Sequence, residues 1–338
     1  MFNKLFVLPA VATVAALYLA GCASTGGSAD GGAVGDLQVV ATTTQVADLA
    51  RNVIGETDGV SLTQLIQPNQ SAHSYDPSVA DLTALGEADV LVINGVGLEE
   101  WLDEAISASG FDGVTIDSDE GIEIQDVAAG GEPADDQGAK DGAEHSHEGG
   151  NPHIWTDVAN AETMVATIAA GLSEAQPDLA ADFDSNATAY TGRLAELADW
   201  IESNLAAVPA DQRLLVSNHD AFGYFTQAYD VTYVGSVIPS FDDNAEPSAA
   251  AIDELVAAIK ATRVKAVFSE ASISPKAAET IAREAGVMVY SGEDALYSDS
   301  LGAKDSDGAT YVRSQVHNVT LMMESWGAET TVVPADLR

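Results

Sequence analysis

The sequence predicts an α/β protein built as two βα lobes with mainly parallel sheets, joined by one long helix. Three observations lead there. From Leu37 onward, short β-rich runs alternate with amphipathic stretches; the alternation begins afresh after Pro209; and between the two series a helical pattern runs from about Asp178 to Ala207. Strands that alternate with helices pair in parallel, because a parallel connection needs a dozen or more residues and a helix supplies them.

The first strand is Leu37 to Thr43 (LQVVATT), followed by a helix through Val46, Leu49 and Val53. Ser61 to Ile66 and Val90 to Asn94 are further strands, with Leu82 and Leu85 between them on a short helix that a Ser78/Asp81 capping box starts after Pro77. Residues 128–150 are dominated by Gly, Ala, Asp and Glu, with His145 and His147 near the end; a segment of that composition cannot bury a core and reads as an acidic loop. Helical spacing returns from Asp157 to Glu174 (Met164, Ile168, Leu172). The long helix follows, through Phe183, Tyr190, Leu194, Leu197, Ile201 and Leu205, bounded by Pro177 and Pro209.

In the second half the strands are Leu214 to Ser217, Val231 to Val237, Ala266 to Ser269 and Val287 to Ser291. The helices include Ser248 to Lys260, with Ser248 as N-cap, and Pro275 to Gly286. Tyr224 and Phe225 read as core residues, and His317, on the last helical pattern, as a surface residue.

The ends say where such a chain works. One lysine, Lys4, precedes an apolar run from Leu5 to Ala20, shorter than the roughly 20 residues a spanning helix needs and ending in small residues, which is the pattern of a secretory signal. Leu19-Ala20-Gly21-Cys22 resembles a bacterial lipobox, so Cys22 is expected to carry lipid. The Gly/Ser-rich stretch after it is a flexible tether. Expected boundaries are a signal peptide 1–21, tether 22–36, first lobe 37–177, spine helix 178–208 and second lobe 209–338. Cys22 is the only cysteine, so no intramolecular disulfide can form.

The formal net charge of −40, from 13 basic and 53 acidic residues, argues against nucleic acid as a partner. Acid spread along every segment with little lysine reads as an adaptation for solubility, as in a salty habitat. It also suits a protein that handles cations.

The chain has six histidines, and three of them, with one aspartate, sit in short polar segments beside expected strand ends or helix starts: His73, His153, His219 and Asp299. Imidazole nitrogens and a carboxylate oxygen are the donors of a tetrahedral zinc site. They lie far apart in sequence, so spacing alone proves nothing. Two fall in each βα half, however, which places a metal in the cleft between lobes.

Several ordered blocks resemble the zinc and manganese ABC-transporter solute-binding lipoproteins: His73-Ser74-Tyr75-Asp76-Pro77, Asn151-Pro152-His153-Ile154-Trp155, Asn218-His219-Asp220-Ala221-Phe222-Gly223-Tyr224-Phe225, Glu246-Pro247-Ser248, Phe268-Ser269-Glu270, Ser274-Pro275-Lys276 and Tyr297-Ser298-Asp299-Ser300-Leu301. The resemblance implies two lobes on a rigid helical spine and, position by position, His73, His153, His219 and Asp299 as metal ligands. It implies no enzymatic activity. The expected work is capture of Zn2+, or alternatively Mn2+, outside the cytoplasm and delivery to an ABC permease with its ATPase. The protein would be a monomer, held to the extracytoplasmic face of a bacterial membrane by its lipid.

Members suited to manganese tend to carry glutamate where this chain has His219, so three imidazoles favour zinc. Asn151 stands where the family commonly has aspartate, and Glu270 at a strand end is either an acceptor for a ligand imidazole or an exposed loop carboxylate. The His145/His147 loop is similar to the histidine-bearing loop of zinc-binding members. Two rival functions share the residues: a secreted zinc hydrolase, which would need an open coordination position and a general base, and an adhesin lipoprotein.

Overall fold

The computed structural model describes residues 36–126 and 150–338. The expected signal peptide, Cys22 and the His145/His147 segment lie outside them. In chain order the elements are β1 (Leu37–Ala41), α1 (Thr44–Ile54), β2 (Val60–Gln64), α2 (Val79–Gly86), β3 (Val90–Ile93), α3 (Leu102–Ser109), β4 (Val114–Asp117), α4 (Val158–Ala175), α5 (Ala180–Leu205), β5 (Leu214–His219), α6 (Gly223–Ala228), β6 (Thr232–Ile238), α7 (Ala249–Thr262), β7 (Ala266–Phe268), α8 (Lys276–Ala285), β8 (Met288–Tyr290) and α9 (Tyr311–Trp326).

Every described strand pair is parallel. The first sheet has the order β2-β1-β3-β4, so the connections after β1 and after β2 run to opposite sides, which leaves a crevice at the carboxyl ends of β1 and β3. Burial follows the period of two along the strands. Val39 and Ala41 of β1 and Val90 and Val92 of β3 face the main core with α1 and α4, whereas Val40 and Leu91 face a separate cluster with Leu85 of α2 and Leu102 and Ala105 of α3. In the second half, β5 pairs β6 and β7 pairs β8, with β7 lying beside β5. Val216 and Val267 face Leu255, Ile259 and Ile281 of α7 and α8, while Leu215 and Phe268 join the main core.

The spine is α5, 26 residues and therefore about 39 Å long. Most of its buried side chains, Phe183, Ala187, Tyr190, Leu194, Leu197, Ile201 and Leu205, form one stripe at helical spacing, with Trp200 and Asn204 buried beside it. α9 packs on α5 and α1, so the main core runs without a break from the first sheet to the C-terminal helix. Each fully buried aliphatic side chain in it contributes about 1.5–3 kcal/mol.

The Ser78/Asp81 capping box and the Ser248 N-cap are present. Tyr224 and Phe225 are buried. Three short elements have no counterpart in the sequence pattern: α3, β4 and α6. β4 alternates Val114 and Ile116 with polar residues over only four positions and buries Ile116 alone, too little to mark a strand in the sequence. His317 differs from expectation. It is partly buried, its Nε2 lies 3.0 Å from the Ala295 carbonyl and its ring stands edge-on to Tyr297, because the segment after β8 folds back over α9.

The charge of the chain has a consequence for this fold. Self-repulsion among the acidic groups works across distances that salt shortens, from a screening length of about 10 Å at 0.1 M to about 3 Å at 1 M. The melting temperature is expected to rise by about 10 °C between 0.1 and 2 M sodium chloride, a weakly excluded salt. A flat profile in a calorimetric salt series would show that the acidic surface is already balanced without ions.

Candidate metal centre

Each of the four residues selected from the sequence lies at or beyond the carboxyl end of a strand. His73 is in the loop after β2; His153 follows β4 and caps a short 3-10 turn, Ile154–Thr156; His219 is the last residue of β5; Asp299 is in the segment after β8. The fold brings them together: one donor atom from each lies within 4.8 Å of all the others. Asp299 Oδ2 is 3.0 Å from His219 Nε2 and 3.4 Å from His73 Nε2, Asp299 Oδ1 is 3.2 Å from His153 Nε2, and the Nε2 atoms of His153 and His219 are 3.2 Å apart. His153, His219 and Asp299 are 0% exposed and His73 is 7% exposed, which places His73 nearest to solvent.

Local contacts aim the imidazoles. Asn151 Oδ1 accepts the backbone N–H of His153 at 3.1 Å, which identifies that atom as the amide oxygen; the same oxygen lies 2.9 Å from His153 Nδ1, so Nδ1 carries the proton and Nε2 presents a lone pair. Glu270 does the same for His219. Its Oε2 is 2.5 Å from His219 Nδ1 and also accepts Ser298 Oγ, while its Oε1 accepts the backbone N–H groups of Asn218 and His219, both at 2.9 Å. An acceptor on Nδ1 is the usual way a protein fixes the tautomer of a metal-binding imidazole. Glu270 is 1% exposed, so of its two readings the buried acceptor holds.

The electrostatics of the cluster call for a cation. Both Asp299 oxygens are buried, and imidazole nitrogens face them at 3.0–3.4 Å. Burial alone would push the Asp299 carboxyl up, but His219 and His153 beside it hold it well below the usual carboxylate range. Burial also pulls on the imidazoles. For His153 burial wins and lowers it to about 4; for His219 the nearby Asp299 and Glu270 carboxylates outweigh burial and raise it well above 6.5; for His73, Asp299 outweighs burial and the shift is upward. Two buried carboxylates, Asp299 and Glu270, thus surround three imidazole nitrogens. A divalent ion supplies two positive charges at the point where the donors converge.

A loop that sequence reasoning did not single out supports two of the four positions. Asn94 Nδ2 donates to the Pro152 carbonyl and Trp101 Nε1 to the Ala72 carbonyl, both at 3.0 Å, each next to a histidine of the cluster. The buried Glu99 carboxyl holds this loop by accepting Asn94 N (2.8 Å) and Thr42 Oγ1 (2.5 Å); burial pushes it up to about 7. The turn between them is left-handed at Gly95, where a Cβ would fall 2.1 Å from Asp117 Oδ1.

Residues 39–325 match the family described as zinc-uptake complex component A, periplasmic. The manganese-binding lipoprotein MntA of Halalkalibacterium halodurans is 32% identical over 311 residues, 91% of this chain and 94% of the relative. The manganese ABC transporter substrate-binding lipoprotein PsaA of Streptococcus mitis is 26% identical, over 95% of this chain and 97% of its own. Among solved structures, the periplasmic zinc-binding protein TroA from Treponema pallidum superposes with a TM-score of 0.75 at 26% identity, covering 86% of this chain and 99% of its own.

Proposed function

Because this chain belongs to the family of the periplasmic zinc-uptake complex component A, we propose that His73, His153, His219 and Asp299 bind one divalent transition-metal ion, zinc, as cargo. Membership makes the protein a metal-binding, solute-binding component of an ABC transporter. The observation that carries the site is the convergence of three imidazole Nε2 atoms on one fully buried carboxylate. Three nitrogen donors and one oxygen suit zinc better than manganese, which favours oxygen-rich sites. The manganese reading draws on the names of MntA and PsaA.

The ion is captured in the cleft between lobes 37–177 and 209–338 and passed to a membrane permease driven by its ATPase, while lipid on Cys22 keeps the monomer at the outer face of the membrane. Two relatives named as lipoproteins support the anchor. Opening is a small rocking about the α5 spine. Supporting this, the Asp299 segment is bonded to the first half: Ser298 O accepts Gln45 Nε2 (2.6 Å) and Trp155 Nε1 (3.1 Å), and Leu301 N donates to Thr44 Oγ1 (2.8 Å).

Elemental analysis after competition between equal zinc and manganese is the test, with one zinc per chain expected. Bound manganese in place of zinc would reverse the metal assignment. A variant sharpens it. His219→Glu alone is expected to weaken both metals, since the new carboxylate would face Glu270 in a buried site. His219→Glu with Glu270→Gln should move the zinc-to-manganese affinity ratio at least about tenfold toward manganese. An unchanged ratio in the double variant would mean that cavity geometry, not donor type, sets the preference.

A further inference from the structure

The loop that carries His73 is fastened by residues from the far half of the chain. Ser71 Oγ donates to Asp243 Oδ1 at 2.8 Å across 172 positions, and the same hydroxyl accepts the backbone N–H of His73 (3.2 Å) and of Ser74 (3.3 Å). One donor and two acceptor sites are a hydroxyl's whole capacity, so Ser71 couples Asp243 directly to the backbone of a proposed ligand. Asp243 lies between β6 and α7 and is 8% exposed; Asn244 Nδ2 steadies the same oxygen at 2.9 Å. A second tie, Asn69 N to Ser300 Oγ at 2.6 Å, holds the start of the loop to the Asp299 segment.

We propose that the Ser71–Asp243 clasp sets the residence time of the bound cation. This rests on the four-ligand reading above. His73 is the only one of the four with measurable exposure, so the ion leaves on its side, and His73 withdraws only when its loop lifts. Lifting the loop breaks the clasp. Capture and release both pass through a lifted state in which the clasp is absent, so the clasp limits both rates. Losing one hydrogen bond to a carboxylate should raise the dissociation rate about tenfold to hundredfold.

The test is stopped-flow release of zinc from the full chain into excess chelator, with association rates and metal-free melting temperatures measured beside it. Ser71→Ala and Asp243→Ala are each expected to release zinc about 10–100 times faster, and the double variant no faster than either single one. Ser71→Thr keeps the hydroxyl and Asp243→Asn keeps an acceptor oxygen, so both should stay within about threefold of the parent. Association should quicken together with release, and metal-free melting should fall only by the loss of one hydrogen bond. Parental release rates in the alanine variants, additive effects in the double variant, or an Asp243→Asn rate equal to that of Asp243→Ala would each overturn the clasp. A parent chain that binds no zinc would instead overturn the four-ligand reading.

Discussion

The His153→Ala variant is expected to bind zinc about a thousandfold more weakly than the parent. Protein zinc sites of four donors gain roughly 10–16 kcal/mol in all, so one donor is worth about 2.5–4 kcal/mol, or two to three orders of magnitude. His153 should lie at the upper end. It is fully buried, and Asn151 has already fixed its tautomer, so the lone pair on Nε2 is preformed and the remaining three donors have no solvent ligand close by to replace it. Asp299→Ala should be equally severe. Water could replace the oxygen in an open site, but Asp299 is 0% exposed and is the one carboxylate that faces all three imidazoles. Isothermal titration checks both, and near-parental zinc affinity in either variant would remove that residue from the site.

The second large effect is on pH. Zinc requires neutral imidazoles, and the three histidines do not titrate together. His153, lowered to about 4, has lost its proton throughout the physiological range, whereas His73 and His219 are raised by Asp299, with Glu270 adding to the effect at His219. Zinc therefore displaces up to two protons, and affinity should fall by up to about a hundredfold per pH unit as pH drops below their folded values. A competition titration from pH 5 to 8 reads the slope. Three protons per zinc would show that His153 also charges, and no slope would show that His219 is neutral before zinc arrives.

The same shifts govern the metal-free protein with the opposite sense at one end. His219 is raised, so its contribution to stability is present below its ordinary 6.5 and is lost as pH rises through its folded value. Asp299 is lowered, so its contribution is present above 3.8 and is lost as pH falls through its folded value. Without zinc the pair is therefore most stabilising in mildly acidic solution. The rise in melting temperature on adding zinc should consequently grow from pH 6 to pH 8, as the metal replaces a proton that the free site would otherwise hold.

Much of the scaffold was legible in the sequence where burial imposes a period. β1 and β3 alternate between two apolar clusters, and α5 repeats its buried residues every three or four positions, so both announce themselves. β4, α3 and α6 do not. They are short, and neither β4 nor α3 buries more than two residues, so packing against neighbours, not local pattern, holds them in place. His317 was misplaced for a related reason: its helix position looked peripheral, and only the return of the segment around Ala295 covers it.

The four residues of the candidate site were visible because imidazoles are scarce in this chain and these stand in recognisable polar blocks. By itself the sequence determined the donor types, the alternation that makes an α/β fold, and the excess of acid that argues against nucleic acid as a partner. Only the tertiary structure decided that His73, His153, His219 and Asp299 converge, that Glu270 is buried against His219, and that Ser71 meets Asp243. The physical reason is range. Periodicity and capping are set by neighbours within a few residues, whereas these contacts join segments that meet only when two sets of strands bring their carboxyl ends to one place around α5.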